Sequence, residues 1–431
     1  MDIINSLQRR WEGISKPFLV HPLGTLKFSD LMDEKEINLS EVKAGEVVAL
    51  IGDFDPGSIL TLLRLIEMKA IIVPLTKATE TQHEYFFDAA SVDVVIEGGE
   101  IRRLAGARKN DLLEKLRKIG HAGLVLFSTG TTGRPKAILH DLNLFLDRFE
   151  TPRPTLKTIN FLLFDHIGGL NTLLHTLYNK GTVVVPVNRR VETILDACKQ
   201  HAVEVLPTTP TFLRLMLLSG LLPHKFPASV KIVTYGTERM DQPTLDSLCE
   251  LLPDVDFRQT FGMSELGIVR VKSRSRNSLF MKIGGEGIET RVVDNVLEIR
   301  SKNKMLGYLN AESPFDAAGW YNTNDVVVED NGYYQIVGRI NEVVNVAGEK
   351  FMASEVEMVA MDFVGVQLVK ASAVSNPITG QHVELTVQVE NDTSFDFQAF
   401  KKFLKEKLPK HMVPKRLHLK QIAIGHRFKK A

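Results

Sequence analysis

Cysteine is nearly missing from the chain: two residues, Cys198 and Cys249, stand among 431. Two thiols build no disulfide framework. Both fall among apolar residues at helical spacing, with Val191, Ile194, Leu195 and Cys198 on one face and Leu245, Leu248, Cys249 and Leu252 on another, so both are expected in a core. Nowhere do roughly 18 apolar residues run together, which excludes a helical membrane span. The first residues, MDIINSLQRRWEGISKP, hold no apolar stretch resembling a signal peptide, and a reducing cytoplasm is the expected location. Net charge is also missing. Lys plus Arg (53) nearly cancels Asp plus Glu (52), so no strong field draws the chain to nucleic acid or an anionic membrane. Repeats and low-complexity tracts are absent as well.

What is present is the balance of a globular enzyme: 44% hydrophobic and 24% charged residues, enough to bury a sizeable core. The length exceeds one ordinary domain, so a large body with a smaller appendage is expected. From Val47 to about Ser273, short apolar runs (VVALIG, AIIVPL, GLVLFS, TVVVPV, KIVTYG) alternate with helical periodicity, as in a doubly wound α/β body with buried, largely parallel strands. Around Glu286 the style shifts. ETRVVDNVLEIRS and DNGYYQIVGR read as hairpins of a small β-rich subdomain. After Arg339, Val383, Leu385, Val387 and Val389 alternate with polar residues, and Phe397, Phe400, Leu404 and Leu408 share a helix face that Pro409 ends. The last 90 or so residues therefore read as a small α+β domain. The expected division is 1–340 and 341–431.

The most informative segment is LVLFSTGTTGRPKAILH, from Leu124 to His140. An apolar strand ends in Ser128, Thr129, Gly130, Thr131, Thr132 and Gly133, followed by Arg134, Pro135 and Lys136. Small residues let the backbone approach a polyanion, hydroxyls and amides donate to it, and Lys136 adds a charge. It is not a Walker loop, because no Gly-Lys-Ser/Thr follows at the required spacing.

This run resembles the signature phosphate loop of the adenylate-forming superfamily, which includes acyl- and aryl-CoA synthetases, luciferases and nonribosomal adenylation domains. Ala137 departs from it, where the family usually has glycine. Further motifs follow in the family's order: LLRLIEMKAIIVPL (62–75), FDHIGGL (164–170), LPTTPTFL (206–213), YGTE (235–238), TFGMSELG (260–267), GWYNTND (319–325), GRINEVVNVAGEKFMASEVE (338–357) and LPKHMVP (408–414). The resemblance covers roughly residues 45 to 431. It implies ATP, Mg²⁺ and coenzyme A, or the phosphopantetheine of a carrier protein, as reactants, with a small carboxylic acid as substrate. FDHIGGL looks more like CoA-ligase relatives than amino-acid-activating domains.

Residue roles follow by position. Tyr235, Gly236, Thr237 and Glu238 match the adenine-side turn. Phe261, Gly262, Ser264 and Glu265 match the motif in which the serine position donates to the α-phosphate and the glutamate holds Mg²⁺, the usual single carboxylate of a nucleotide metal site. Asp325, an acceptor when ionised, would take the ribose hydroxyls, and Arg339 would donate to the sugar or a phosphate. Asn324 stands where glycine is usual; asparagine also tolerates left-handed backbone. The resemblance places His166 in the acyl pocket or thiol tunnel, and Gly168 and Gly169 would permit close packing. Asn341 matches the hinge about which a mobile C-terminal domain swings, and Gly348 would give the pantetheine arm room. Asn345 replaces a frequent lysine. The family's terminal catalytic lysine falls at Lys429 or, with a one-residue shift, Lys430, since the tail GHRFKKA lacks Gly-Lys. These departures leave a second class open, a ligand-binding relative without catalysis. The body is also short before Leu62, and a sheet edge exposed there would suit a homodimer.

Overall fold

The computed structural model describes residues 3–33, 38–105, 109–128, 134–390 and 395–425. Two seven-stranded sheets form the body. One runs Gly307–Tyr308, Ala137–Asp141, Gly123–Phe127, Ile71–Leu75, Val47–Ile51, Val94–Glu97, Glu100–Arg103. Its central strands, VVALI, IIVPL and GLVLF, are parallel and buried along their whole length, which explains why they read as continuous apolar runs rather than alternating ones.

The second sheet runs Asp256–Gln259, Ile232–Tyr235, Val205–Thr208, Lys157–Ile159, Thr182–Val184, Leu19–His21, Gly24–Leu26, and all but the last strand are parallel. A single apolar cluster joins the two sheets through the helices Pro56–Glu67 and Ile167–Tyr178. Short N-terminal elements complete this layer. Leu19–His21 pairs with Thr182–Val184, so the N-terminal residues extend this sheet and Gly24–Leu26 becomes its edge strand. The helix Ile3–Trp11 seals the joint, with the Trp11 indole donating to the Leu177 carbonyl at 2.9 Å and stacking on Phe28.

The expected hairpins form a third, antiparallel sheet: Phe261–Met263, Gly267–Ser273, Met281–Gly284, Tyr333–Arg339, Tyr321–Asp330, Val296–Ser301, Ile288–Val293. From Val343 onward a fourth sheet has its own apolar core, built from Val383, Leu385, Val387, Val389, Phe400, Leu404 and Leu408 among others. The alternation of Gly380–Val389 puts these valines and Leu385 inward, while Phe397 at the first turn of the helix Phe397–Lys407 stays half-buried. Arg214 links this unit to the body, donating to the carbonyls of Gln367 and Val366 at 3.2 Å each. Cys198 is buried, whereas Cys249 is only half-buried. No helix among the described residues is long and apolar enough to cross a membrane.

Candidate active site

The phosphate-loop run is a hairpin. Gly123–Phe127 and Ala137–Asp141 pair antiparallel, and two hydrogen bonds close its base: Ser128 N–H to the Lys136 carbonyl and Lys136 N–H to the Ser128 hydroxyl, both 3.0 Å. Thr129, Gly130, Thr131, Thr132 and Gly133 lie outside the described residues. Ala137 pairs regularly with Phe127 and donates to the Asn310 side chain at 2.9 Å, so alanine fits a plain strand position. Asn310 and the Tyr85 hydroxyl both donate to the Pro135 carbonyl and fix the outgoing limb.

A short strand, Gly307–Tyr308, pairs with Leu139 and Ile138. It carries Tyr308 beneath the hairpin, where the phenol donates to Glu265 at 2.7 Å and the Lys136 ammonium sits 4.8 Å from the ring centroid. His140, on the same limb as Lys136, donates from Nε2 to the Ser264 carbonyl at 2.6 Å. Burial drives its pKa down to about 4, so it is a neutral donor. Neither His140 nor Tyr308 was assigned a role from the sequence. His140 closes the phosphate-loop string and Tyr308 follows Gly307 in GYLN, but their partners lie 124 and 43 residues away.

The second station lies on the antiparallel sheet. Asp325 faces Arg339 across paired strands, with Nε 3.3 Å from Oδ1. The carboxyl is buried, and burial lifts its pKa to about 6 against the pull of Arg339. Arg339 stays half exposed. Thr323 accepts from the Asp325 N–H, and Asn324 takes the left-handed backbone (φ 60°) that its side chain tolerates. Tyr321 bridges the two stations. Its buried phenol is pushed up in pKa by burial first and then by Glu265, and it also feels Tyr308, Arg339 and Asp325.

At the turn Tyr235–Glu238, the Tyr235 ring is fully buried in the core, so only its backbone faces the turn, accepting from Thr260 N–H at 2.7 Å. Gly236 is packed on Thr260: a Cβ there would stand 2.6 Å from its carbonyl oxygen. Thr237 has φ 69°, and its buried hydroxyl finds no partner among the described residues. Glu238 accepts from Thr211 N–H at 3.2 Å, tying the turn to the helix Pro210–Leu218. Phe261 is buried in the core of the antiparallel sheet, and Gly262, Ser264 and Glu265 follow it round the hairpin turn.

His166 is the N-cap of the helix Ile167–Tyr178; its Nδ1 accepts from Gly168 N–H at 3.0 Å, which assigns the proton to Nε2 in the neutral ring. Asn341 is exposed in a single 3₁₀ turn, Ile340–Glu342, directly after Arg339. Gly348 (φ 95°) follows Ala347 (φ 54°) in a hairpin turn, and the Asn345 side chain accepts the Gly348 N–H at 3.0 Å. Asn345 thus shapes the turn. Lys429 and Lys430 lie outside the described residues.

The structure thus brings together a basic hairpin, the buried Glu265 carboxylate and the buried Asp325 carboxyl paired with Arg339 on an α/β body. The model of the AMP-binding enzyme family matches residues 38–320, well over half of the chain, and the chain belongs to that family. Among curated relatives, it is 25% identical over 249 residues to the nicotinic acid-CoA ligase pyr1 of Aspergillus fumigatus, covering 52% of this chain and 42% of that one. It is 22% identical over 371 residues to the 2-succinylbenzoate–CoA ligase of Staphylococcus epidermidis, covering 78% and 77%. The match spans about half the length of the first curated relatives, 42%, 47% and 58%. Among solved structures, the fold is similar to the o-succinylbenzoate CoA synthetase of Bacillus subtilis in complex with its acyl-adenylate intermediate, with TM-score 0.77, 16% identity and coverage of 99% and 96%.

Proposed function

We propose that the chain activates a carboxylic acid with ATP as an acyl-adenylate, releasing pyrophosphate, and then passes the acyl group to the thiol of coenzyme A. One observation carries the reading: Lys136 and Glu265 meet at Tyr308, and Tyr321 neighbours both that point and the Asp325–Arg339 pair, so the groups proposed for phosphate and for ribose adjoin one another.

In the first step an oxygen of the acid attacks the α-phosphorus and the bond to pyrophosphate breaks. Charge builds on phosphate oxygens, so catalysis is mainly positioning and electrostatics. Ser128, residues 129–133 and Lys136 bind the polyphosphate, Ser264 donates to the α-phosphate, and Gly236, Thr237 and Glu238 border the base. Asp325 and Arg339 hold the sugar. No group of three His, Cys, Asp or Glu side chains among the described residues suits a metal. A protein-only cation site therefore does not fit, whereas a Mg²⁺ shared between Glu265 and polyphosphate oxygens does. Bound there, Mg²⁺ would neutralise phosphate charge. Glu265 is well suited to it, because this buried carboxylate has no basic ion-pair partner among the described residues.

In the second step the thiol sulfur attacks the acyl carbon and the bond to AMP breaks. Residues 341–431 form the mobile domain, Asn341 its hinge, Gly348 the opening for the pantetheine arm, His166 the wall of the acyl pocket, and Lys429 or Lys430 the terminal lysine of the first step. Relatives named as CoA ligases support coenzyme A over a carrier protein's phosphopantetheine as acceptor. Pyrophosphate exchange into ATP with a panel of carboxylic acids tests the first step, and AMP release on adding coenzyme A or a carrier protein tests the second. Exchange with no acid would leave a non-catalytic, ligand-binding protein.

A further inference from the structure

We propose that Tyr308 is a positioning residue that presents Glu265 to the nucleotide-bound metal, an inference resting on the reading of Glu265 as the metal carboxylate. The main chain around Glu265 is already held without Tyr308. His140 donates to the Ser264 carbonyl, and the Met305 N–H donates to the Glu265 carbonyl at 2.8 Å. These contacts fix the turn but leave the carboxylate free to rotate about its side-chain torsions. Tyr308 removes that freedom by binding Oε1 at 2.7 Å, which leaves Oε2 as the oxygen available to a cation. A single-oxygen ligand suits Mg²⁺, whose octahedron tolerates little distortion.

The position of Tyr308 is set from two sides. Main-chain pairing of Gly307–Tyr308 with Ile138 and Leu139 fixes the backbone, and the Lys136 ammonium covers the ring. The same strand pair therefore couples the phosphate-loop lysine to the orientation of the metal carboxylate.

The test is ATP binding by calorimetry to wild type, Tyr308→Phe, Glu265→Gln and the double variant, titrated with Mg²⁺ and repeated in EDTA. Phenylalanine keeps the ring under Lys136 and removes the hydroxyl, with its bond to Glu265 and its contact with Tyr321. The expected result is an Mg²⁺ requirement raised about tenfold in Tyr308→Phe, the range found when a metal ligand loses its orienting partner. ATP affinity in EDTA should be unchanged, and the substitution should have no further effect in the Glu265→Gln background. An unchanged Mg²⁺ requirement in Tyr308→Phe, with Glu265→Gln impaired, overturns the proposal and leaves the functional reading standing. Equal loss of ATP affinity in EDTA also overturns it, since Tyr308 would then be structural. If Glu265→Gln itself keeps the wild-type Mg²⁺ requirement, the assignment of Glu265 fails instead.

Discussion

On the proposed reading of Asp325 as the ribose acceptor, its raised pKa makes adenosine binding sensitive to pH, and the sign and size follow from its burial. With the carboxyl at about 6, the ionised form dominates at pH 8 and the acid dominates at pH 5. Only the ionised form keeps both oxygens as acceptors, Oδ1 shared with Arg339 and Oδ2 open to a ribose hydroxyl. If the acid binds far more weakly, the apparent Kd at pH 5 rises about tenfold over its plateau, about 1.4 kcal/mol, and log Kd climbs toward unit slope below pH 6. Adenosine is the ligand of choice, because a phosphate monoester titrates near pH 6 and would mask the effect. Calorimetric titration between pH 5 and 8 at constant ionic strength reads it directly. Asp325→Asn should bind weakly at every pH, with no slope in this window. The stability effect has the opposite direction. A carboxyl whose folded pKa lies above its ordinary 3.8 opposes folding once ionised, so its cost is absent below pH 4 and complete above pH 6. Asp325→Asn should therefore be more stable than wild type at pH 8, by up to about 3 kcal/mol, and Arg339, half exposed, loses little when unpaired. A flat wild-type profile, or a slope that survives in Asp325→Asn, would refute the assignment of Asp325 as the titrating ribose acceptor.

Four other perturbations test the scaffold. Gly169→Ala should destabilise the fold by about 1–3 kcal/mol in urea melts, because its Cβ would drive into the Leu163 carbonyl and stand 2.9 Å from that of Leu162. Gly168→Ala, which meets the flexible end of Leu162 and the His166 ring, should cost less. Arg214→Ala removes both hydrogen bonds to the Val366 and Gln367 carbonyls, so protease cleavage near Asn341 should speed up at least fivefold while the melting of the body stays unchanged. Cys198, whose thiol burial pushes up to about 12, should resist a thiol reagent at pH 8, with a thiolate fraction of roughly one in ten thousand, and react only when unfolded.

The parallel strands of the body are legible in the sequence because full burial on both faces turns VVALI and GLVLF into unbroken apolar runs, a signal that needs no partner to be read. The same holds for Gly380–Val389, where period-two alternation reports one buried face. Asn324 was legible for a local reason too: its left-handed backbone is a property of one residue and its immediate turn. Tyr235 shows the limit of reading a motif by register, since the strand alternation that makes Tyr235 part of the motif also sends its ring into the core, leaving only its backbone at the turn. His140 and Tyr308 were illegible for a further reason. Each acts through one hydrogen bond to the Ser264–Glu265 turn, His140 directly from the hairpin and Tyr308 from a two-residue strand that returns to pair with Ile138 and Leu139. A two-residue strand carries no periodicity, so the element that joins the hairpin to the Glu265 carboxylate leaves no pattern in the sequence. Its position follows from the sheet order instead: an edge of the body sheet beside the hairpin is where a short returning strand can bring a phenol to both Lys136 and Glu265.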